Sequence, residues 1–418
     1  MEITVNDHLP ASFNRLAWSN LAAQSAEQVG LAAAPIVAVL AFGAGPGETG
    51  WLQTLQTLPF LLLAIPAGVL ADRMSRRRLM VSAEWLRTLS LSAILVLALC
   101  GWLNLPLLAG LGFLGACGTI AYTVAAPALV PALVPAALLG RANARIELAR
   151  TVAFAGGPAL AGGIVGWIGG GPAFGIAAAL SLTAVVLLTG IAEPPRVTDT
   201  VRNPLAELKE GLAFVARHPM LNPVFTTQFV FGTAWFMILA VFVPYAVDHL
   251  GLGAASVGVV IGCYGAGMVV GALLAGTAMR RLRFGLVVGL GPVCGLFAAL
   301  TIAATIWLPS APLAGVGFFV MGAGPIIWVI STTTLRQAVT PARLLGRASA
   351  INVLAYGARP LGAALGAVLG GWFGAEICLL VAVAGFAAQA AIILVSPVVR
   401  LASQPALGGR VGERAGAD

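Results

Sequence analysis

Charge is what this 418-residue chain has least of: 9% of its residues are Asp, Glu, Lys or Arg, against roughly 25% in a soluble globular domain. So little charge cannot cover a water-facing surface, and with 59% hydrophobic residues the chain is expected to lie in a membrane. Lysine is almost absent, Lys209 standing against 22 arginines. Histidine is scarce too, and His8, His218 and His249 fall at the polar ends of apolar stretches. With no HExxH helix and no glycine-rich nucleotide loop after a strand, an enzyme is not expected. No catalytic residue, metal or cofactor is assigned. The five cysteines (Cys100, Cys117, Cys263, Cys294, Cys378) lie in or beside apolar stretches without CxxC spacing, so neither a disulfide framework nor a metal site is indicated.

What is present is a series of apolar runs, each near the length of about 20 residues that spans a bilayer as a helix. Twelve are read, near 12–40, 50–71, 79–100, 105–130, 144–168, 172–192, 221–247, 256–278, 285–308, 311–335, 346–372 and 376–397. They are solid rather than alternating, which excludes a β-barrel. The opening MEITVNDHLPASFNR has no basic n-region, so no cleavable signal peptide is expected. With the amino terminus inside, the outer loops read GAGPGETG, CGWLNLP, GWIGGGP, DHLGLGAAS, WLPSAP and GWFGAE, and none holds a lysine or arginine. The basic residues then mark the cytosolic side, as the positive-inside rule requires, rather than a nucleic-acid surface. A bacterial inner membrane with both termini cytosolic is the expected setting.

The chain also repeats itself. PAALLGRANA at 135–144 and PARLLGRASA at 341–350 share eight of ten residues at an offset of 206, about half the chain. Glycines four apart follow each copy, at Gly162, Gly166 and Gly170 and at Gly362, Gly366 and Gly370, and such ladders let helices approach closely in lipid. The expected fold is all-α, twelve transmembrane helices in two pseudo-symmetric six-helix bundles, 1–192 and 221–398. Between them, 193–220 reads as a cytosolic linker with an amphipathic helix, and 399–418 as a tail. A parallel duplication of this kind is the plan of a secondary transporter.

Residues 68 to 80, GVLADRMSRRRLM, crowd charge behind the second apolar run. Gly68, Leu70, Ala71, Asp72, Arg73, Arg76 and Arg77 resemble the signature between the second and third spans of the major facilitator superfamily, with Ser75 where that family usually has glycine. Gly157, Pro158, Gly162 and Gly163 resemble the Gly-Pro motif of its drug antiporters, one residue longer than usual. The linker's EGLAFVARHPML, with ADRMSRRRLM, is similar to the branch of the enterobactin exporter and the macrolide efflux proteins. The resemblance implies the major facilitator fold and alternating access; with no soluble oligomerisation element visible, a monomer is expected. It also implies a conformational latch of Gly68, Asp72, Arg73, Arg76 and Arg77, with Asp72 reaching toward Gly346 and Arg347. The arginine common in the family's fourth span is missing here.

Within the first run, Asn20, Gln24, Glu27 and Gln28 share one helix face. Glu27 stands about 18 Å along the helix from Arg15, near mid-membrane, where an ionisable side chain by default marks a pathway or proton relay. The eleventh run offers Asn352, Tyr356 and Arg359 at four- and three-residue spacing, with Arg359 near the midplane. Glu27 and Arg359 are expected to communicate across a cavity, paired or bridged by substrate; the structural reading is a hydrogen-bonded acid and an arginine satisfied by carbonyls freed at Pro360. Glu84 with Arg87, and Glu147 with Arg150, are three apart and are expected to pair locally. By family analogy the cavity adds Tyr122, Gln228, Trp235 and Trp328. The expected function is proton-coupled efflux of small amphipathic molecules, with sodium as the alternative ion. The alternatives are an uptake or facilitative carrier, and a non-transporting sensor or lipid scramblase.

Overall fold

The computed structural model describes residues 9–135, 138–193, 204–340 and 355–404, without the side chains of residues 72, 128, 204–208 and 356. The first half holds α1 (Ala11–Phe42), α2 (Pro46–Leu62), α3 (Ala64–Arg73), α4 (Arg76–Leu99), α5 (Leu105–Leu133), α6 (Leu139–Ile168) and α7 (Gly170–Thr189). After α8 (Pro204–Arg217), the second half holds α9 (Leu221–Asp248), α10 (Ala254–Arg281), α11 (Phe284–Ala304), α12 (Ala311–Val339), α13 (Ala358–Phe373) and α14 (Ala375–Val395). Ten of these are long and apolar enough to cross a membrane, and α2 with α3 makes an eleventh, bent by 46°. The bend falls where Pro66 supplies no N–H to bond back to Leu62. The run read at 346–372 is described only from Ala355, as one 3₁₀ turn and α13. The second copy of the repeat, with Gly346, Arg347 and Asn352, lies outside the described residues.

In the first half α1 packs against α6 and α7, and α4 against α5 and α7; in the second, α9 packs against α13 and α14, and α11 against α12 and α14. The halves meet along α2 with α13 and α6 with α10. Glycine makes that seam possible. A Cβ on Gly50 would stand 2.6 Å from the Ala367 nitrogen, and one on Gly258 2.8 Å from the Gly162 Cα. Lipid gives no hydrophobic drive between helices, so such close backbone contact is what holds them. Thr49 adds a hydrogen bond from its Oγ1 to the Ala240 carbonyl, 2.8 Å, across the halves. These contacts lie toward the loops that hold no lysine or arginine. At that same end Trp51, Trp102, Trp167, Trp307 and Trp372 are all exposed, which suits rings anchored at a lipid–water boundary.

Outside the bundles, α8 packs Val215 against Leu221. The His218 Nδ1 accepts hydrogen bonds from the Met220 and Leu221 N–H groups at 3.2 and 3.3 Å, capping α9. Burial pushes the His218 pKa down, which keeps that nitrogen an acceptor.

Candidate functional site: a charged cavity between the halves

The charged centre begins on α4, where Glu84 and Arg87 lie one turn apart and face inward, 0% and 4% exposed. Arg87 Nη1 donates to Glu84 Oε1 at 2.6 Å and to the Ala23 carbonyl at 3.1 Å, and Nη2 donates to Thr119 Oγ1 at 2.7 Å. Glu84 Oε2 accepts from Ser181 Oγ at 2.7 Å. Four helices therefore converge on one ion pair. α5 reaches it because Gly118 lies on the Ala83 carbonyl, where any Cβ would collide. Glu27 of α1 stands at the edge of this network, its Oε2 3.8 Å from Arg87 Nη2. The i,i+3 spacing foretold the pairing of Glu84 with Arg87. It did not foretell that Arg87 also stands 3.8 Å from Glu27.

On the opposite wall, Arg359 of α13 sets its guanidinium 4.8 Å from the ring centre of Phe60 and 5.5 Å from that of Phe236, a cation–π arrangement. Trp235 and Tyr264 stack beside them, 5.1 Å apart and 19° from parallel. Between the walls lies a cavity of about 930 Å³. Glu27, Gln28, Gln228, Trp235, Trp328 and Arg359 line it, as does Pro158 of the Gly-Pro motif. At its margin Arg150 pairs with Glu147, its Nε 3.1 Å from both carboxylate oxygens, and lies 5.5 Å from the Phe154 ring centre. Glu147 and Arg150 pair as their spacing implied, but on the cavity wall.

Among the described side chains, three nominated from the sequence do not line the cavity. Asn20 is buried and donates to the Ile146 carbonyl at 3.3 Å, which holds α1 to α6. The Tyr122 hydroxyl lies 3.3 Å from Ser19 Oγ in the packing of α1 on α5. Gln24 is half-buried away from the opening. Asn20 and Gln24 share the α1 face of Glu27, but α1 packs against α5 and α6 there. Conversely, Gln53, Gln56, Phe60, Thr119, Phe154 and Tyr264 line the cavity and went unmarked in the sequence. The one available signal was that Glu84 and Arg87 sit mid-run, where charge is costly.

Of the latch residues, the Asp72 side chain and Arg347 are not described, but the loop that carries Arg73, Arg76 and Arg77 is. Gly68 has open space where a Cβ would stand. Ser75 has φ −57° and ψ 124°, which need no glycine, and its Oγ caps α4 by accepting from the Arg78 N–H at 3.2 Å. Glu193 then closes over the same helix start. Its carboxylate accepts from the Arg76 and Arg77 N–H groups at 3.1 Å each, and from the Ser75 hydroxyl. Arg77 donates to the Ile191 carbonyl at 2.9 Å, and Arg15 to that of Gly190, at the carbonyl end of α7, where the helix dipole favours cations. Glu193, read above as the first linker residue, is thus a clasp of the first half.

Burial pushes the Glu193 carboxyl up, but the Ser75 hydroxyl, the two backbone N–H groups and the Arg76 charge outweigh it and hold the pKa below its ordinary 4.5. The ionised form therefore adds stability that is complete above 4.5 and is lost as pH falls through the lowered native value. Glu193→Gln is expected to destabilise the protein at neutral pH by about 1 kcal/mol, the order of a lost helix cap. In thermal melts the gap from wild type should shrink below pH 4.5; a constant gap down to pH 3 would mean the charge is irrelevant.

Two helical halves that close on a central cavity, with ionisable side chains buried at its middle, define a membrane transporter. The sequence pattern of the Major Facilitator Superfamily matches residues 16–363, and the chain belongs to that superfamily. It is similar to the multidrug efflux pump Tap of Mycolicibacterium fortuitum, 30% identical over 334 residues that cover 73% of this chain and 76% of Tap. It is also similar to the enterobactin exporter EntS of Shigella flexneri, 28% identical over 313 residues, 74% of this chain and 72% of EntS. Among solved structures, a bacterial homologue of the human lysosomal transporter Spinster, inward-facing and unoccupied, aligns with a TM-score of 0.75 at 14% identity. That alignment covers 94% of this chain and 98% of that one, a likeness of fold alone.

Proposed function

We propose that this protein exports small amphipathic molecules in exchange for protons, by alternating access. The observation that carries the reading is Glu27: a carboxylate at the cavity wall, 3.8 Å from an arginine that a second carboxylate holds at 2.6 Å. Because Glu84 already neutralises Arg87, Glu27 can gain or lose a proton without leaving a buried cation bare. Substrate and proton can then compete for it. The similarity to Tap and EntS supports the outward direction. If the arginine-rich ends face the cytosol, the seam at Gly50 and Gly258 closes the outer side and the conformer is inward-facing. The setting is a bacterial inner membrane and the working unit a monomer, with no nucleic-acid partner.

The test is proton movement. Purified protein in liposomes, given a panel of hydrophobic cations, zwitterions and catecholates, is expected to release protons on substrate addition, followed with an entrapped pH dye. No proton movement with any member of the panel would sink the exchange reading.

A further inference from the structure

The charged side chains that line the cavity are already engaged. Glu27 lies 3.8 Å from Arg87, which Glu84 holds at 2.6 Å. Glu147 pairs with Arg150 at 3.1 Å, and the Phe60 and Phe236 rings engage Arg359 among other partners. The uncharged polar groups are in the opposite position. Gln56 of α2 lines the cavity and is 4% exposed, yet its Oε1 accepts from no donor among the described residues. Its carboxamide lies over Gly112 of α5, where a Cβ would stand 2.9 Å from Nε2. Gln53, one turn away on the same face of α2, and Gln28 of α1 also line the cavity. Neither makes a side-chain hydrogen bond among the described residues. From the second half Trp328, 5% exposed, lines the same cavity, and its indole N–H lacks an acceptor among the described residues.

Native proteins keep few buried polar groups without a partner, so several that share one cavity point to a ligand. That ligand is not an ion. An entering charge would find the counter-charges taken and would leave the amides bare, and a buried charge without a counter-charge is strongly unfavourable. A hydroxyl, by contrast, donates and accepts at one oxygen, and a carboxamide does both at its two ends. Two neighbouring hydroxyls therefore satisfy one carboxamide, whichever of its ends is the oxygen. Resting on the reading of this cavity as the transport site, we infer that the preferred substrate is an uncharged aromatic compound bearing a cluster of hydroxyls. Gln28, Gln53 and Gln56 hold the hydroxyls, the Trp328 N–H donates to a further oxygen, and the ring lies along the stacked Trp235 and Tyr264. Selectivity follows, because a relative without the hydroxyls leaves buried amides unpaired. Ionised Glu27, next to Gln28, accepts from a hydroxyl more strongly than its protonated form does. Exchange for a proton thus requires no charge on the substrate.

Four probes built on one coumarin ring separate the possibilities: methylumbelliferyl glucoside, uncharged; the free-amine glucosaminide, a cation; the glucuronide, an anion; and the methyl ether of methylumbelliferone, which has no hydroxyl. Equilibrium dialysis against the full chain in nanodiscs near pH 7 is expected to show the glucoside binding about tenfold tighter than each of the others. Gln56→Met keeps the length of the side chain and removes its hydrogen bonds. It should weaken glucoside binding about tenfold and leave that of the methyl ether unchanged, which also reports that the cavity is intact. Equal binding of the four by wild type, no binding of any, or tightest binding of a charged probe would overturn the inference without recourse to a variant. So would a Gln56→Met protein that keeps the full preference for the glucoside. The glucoside also joins the liposome panel. Its preferred binding without proton movement would sink the exchange reading and leave this one standing, whereas proton-coupled export of cations by a protein that does not bind the glucoside would do the reverse.

Discussion

Liposomes bearing Glu27→Gln are expected to lose proton-driven accumulation of substrate entirely, to the level of protein-free vesicles, while downhill exchange persists. Glutamine keeps the size of the side chain and one hydrogen-bonding oxygen, so the cavity and the seam at Gly50 and Gly258 are preserved. What it removes is the capacity to take up a proton. An interior carboxylate is unfavourable to maintain in a membrane, and persists where it is used. Glu27→Asp keeps the charge but withdraws it by one methylene, so partial activity with a displaced pH profile is expected. Accumulation by Glu27→Gln with the wild-type pH dependence would rule out Glu27 as the proton site.

Arg87→Gln is expected to give the largest loss of stability, about 3–5 kcal/mol, the scale of breaking a buried ion pair from one side. Glu84 is fully buried and takes its 2.6 Å hydrogen bond from Arg87, and Glu27 would lose the cation 3.8 Å away. The double variant Glu84→Gln, Arg87→Gln should recover much of that loss, since two neutral amides leave no bare charge in the bundle. Thermal unfolding of detergent-purified protein gives both numbers. A double variant as unstable as Arg87→Gln would mean that packing at Arg87, including its bonds to Thr119 and the Ala23 carbonyl, matters more than charge. Glu84 holds Arg87 at 2.6 Å, and Arg87 lies 3.8 Å from Glu27.

The latch expected at Asp72 lies outside the described side chains, but the loop beside it is described. There the Arg77 guanidinium donates to the carbonyl end of α7, and its backbone N–H donates to the Glu193 carboxylate. Glu193 carried no signal, being one acid after an apolar run. Its role follows from the return of α7 to the start of α4, more than 110 residues earlier.

Most of the helices could be read from composition, because a bilayer demands about 20 apolar residues per crossing and rewards little else. The arginine-free loops, the repeated decapeptide and the glycine ladders could be read for the same reason, since each is a local constraint. Glu27 and Arg359 stood out in one dimension because charge in an apolar run is conspicuous. Which groups meet across the cavity could not be read. Helical spacing relates residues three and four apart, but the 3.8 Å approach of Glu27 to Arg87 joins α1 to α4, and the Phe60 ring on Arg359 joins the two halves. Those distances depend on how closely backbones pack at Gly118, Gly50 and Gly258. Asn20 and Tyr122 make the same point: on the helix face of Glu27 or in a span assigned to the cavity, they are buried where α1 packs against α5 and α6. The identity of the membrane fold was a property of composition; the pairing of its charges was a property of packing.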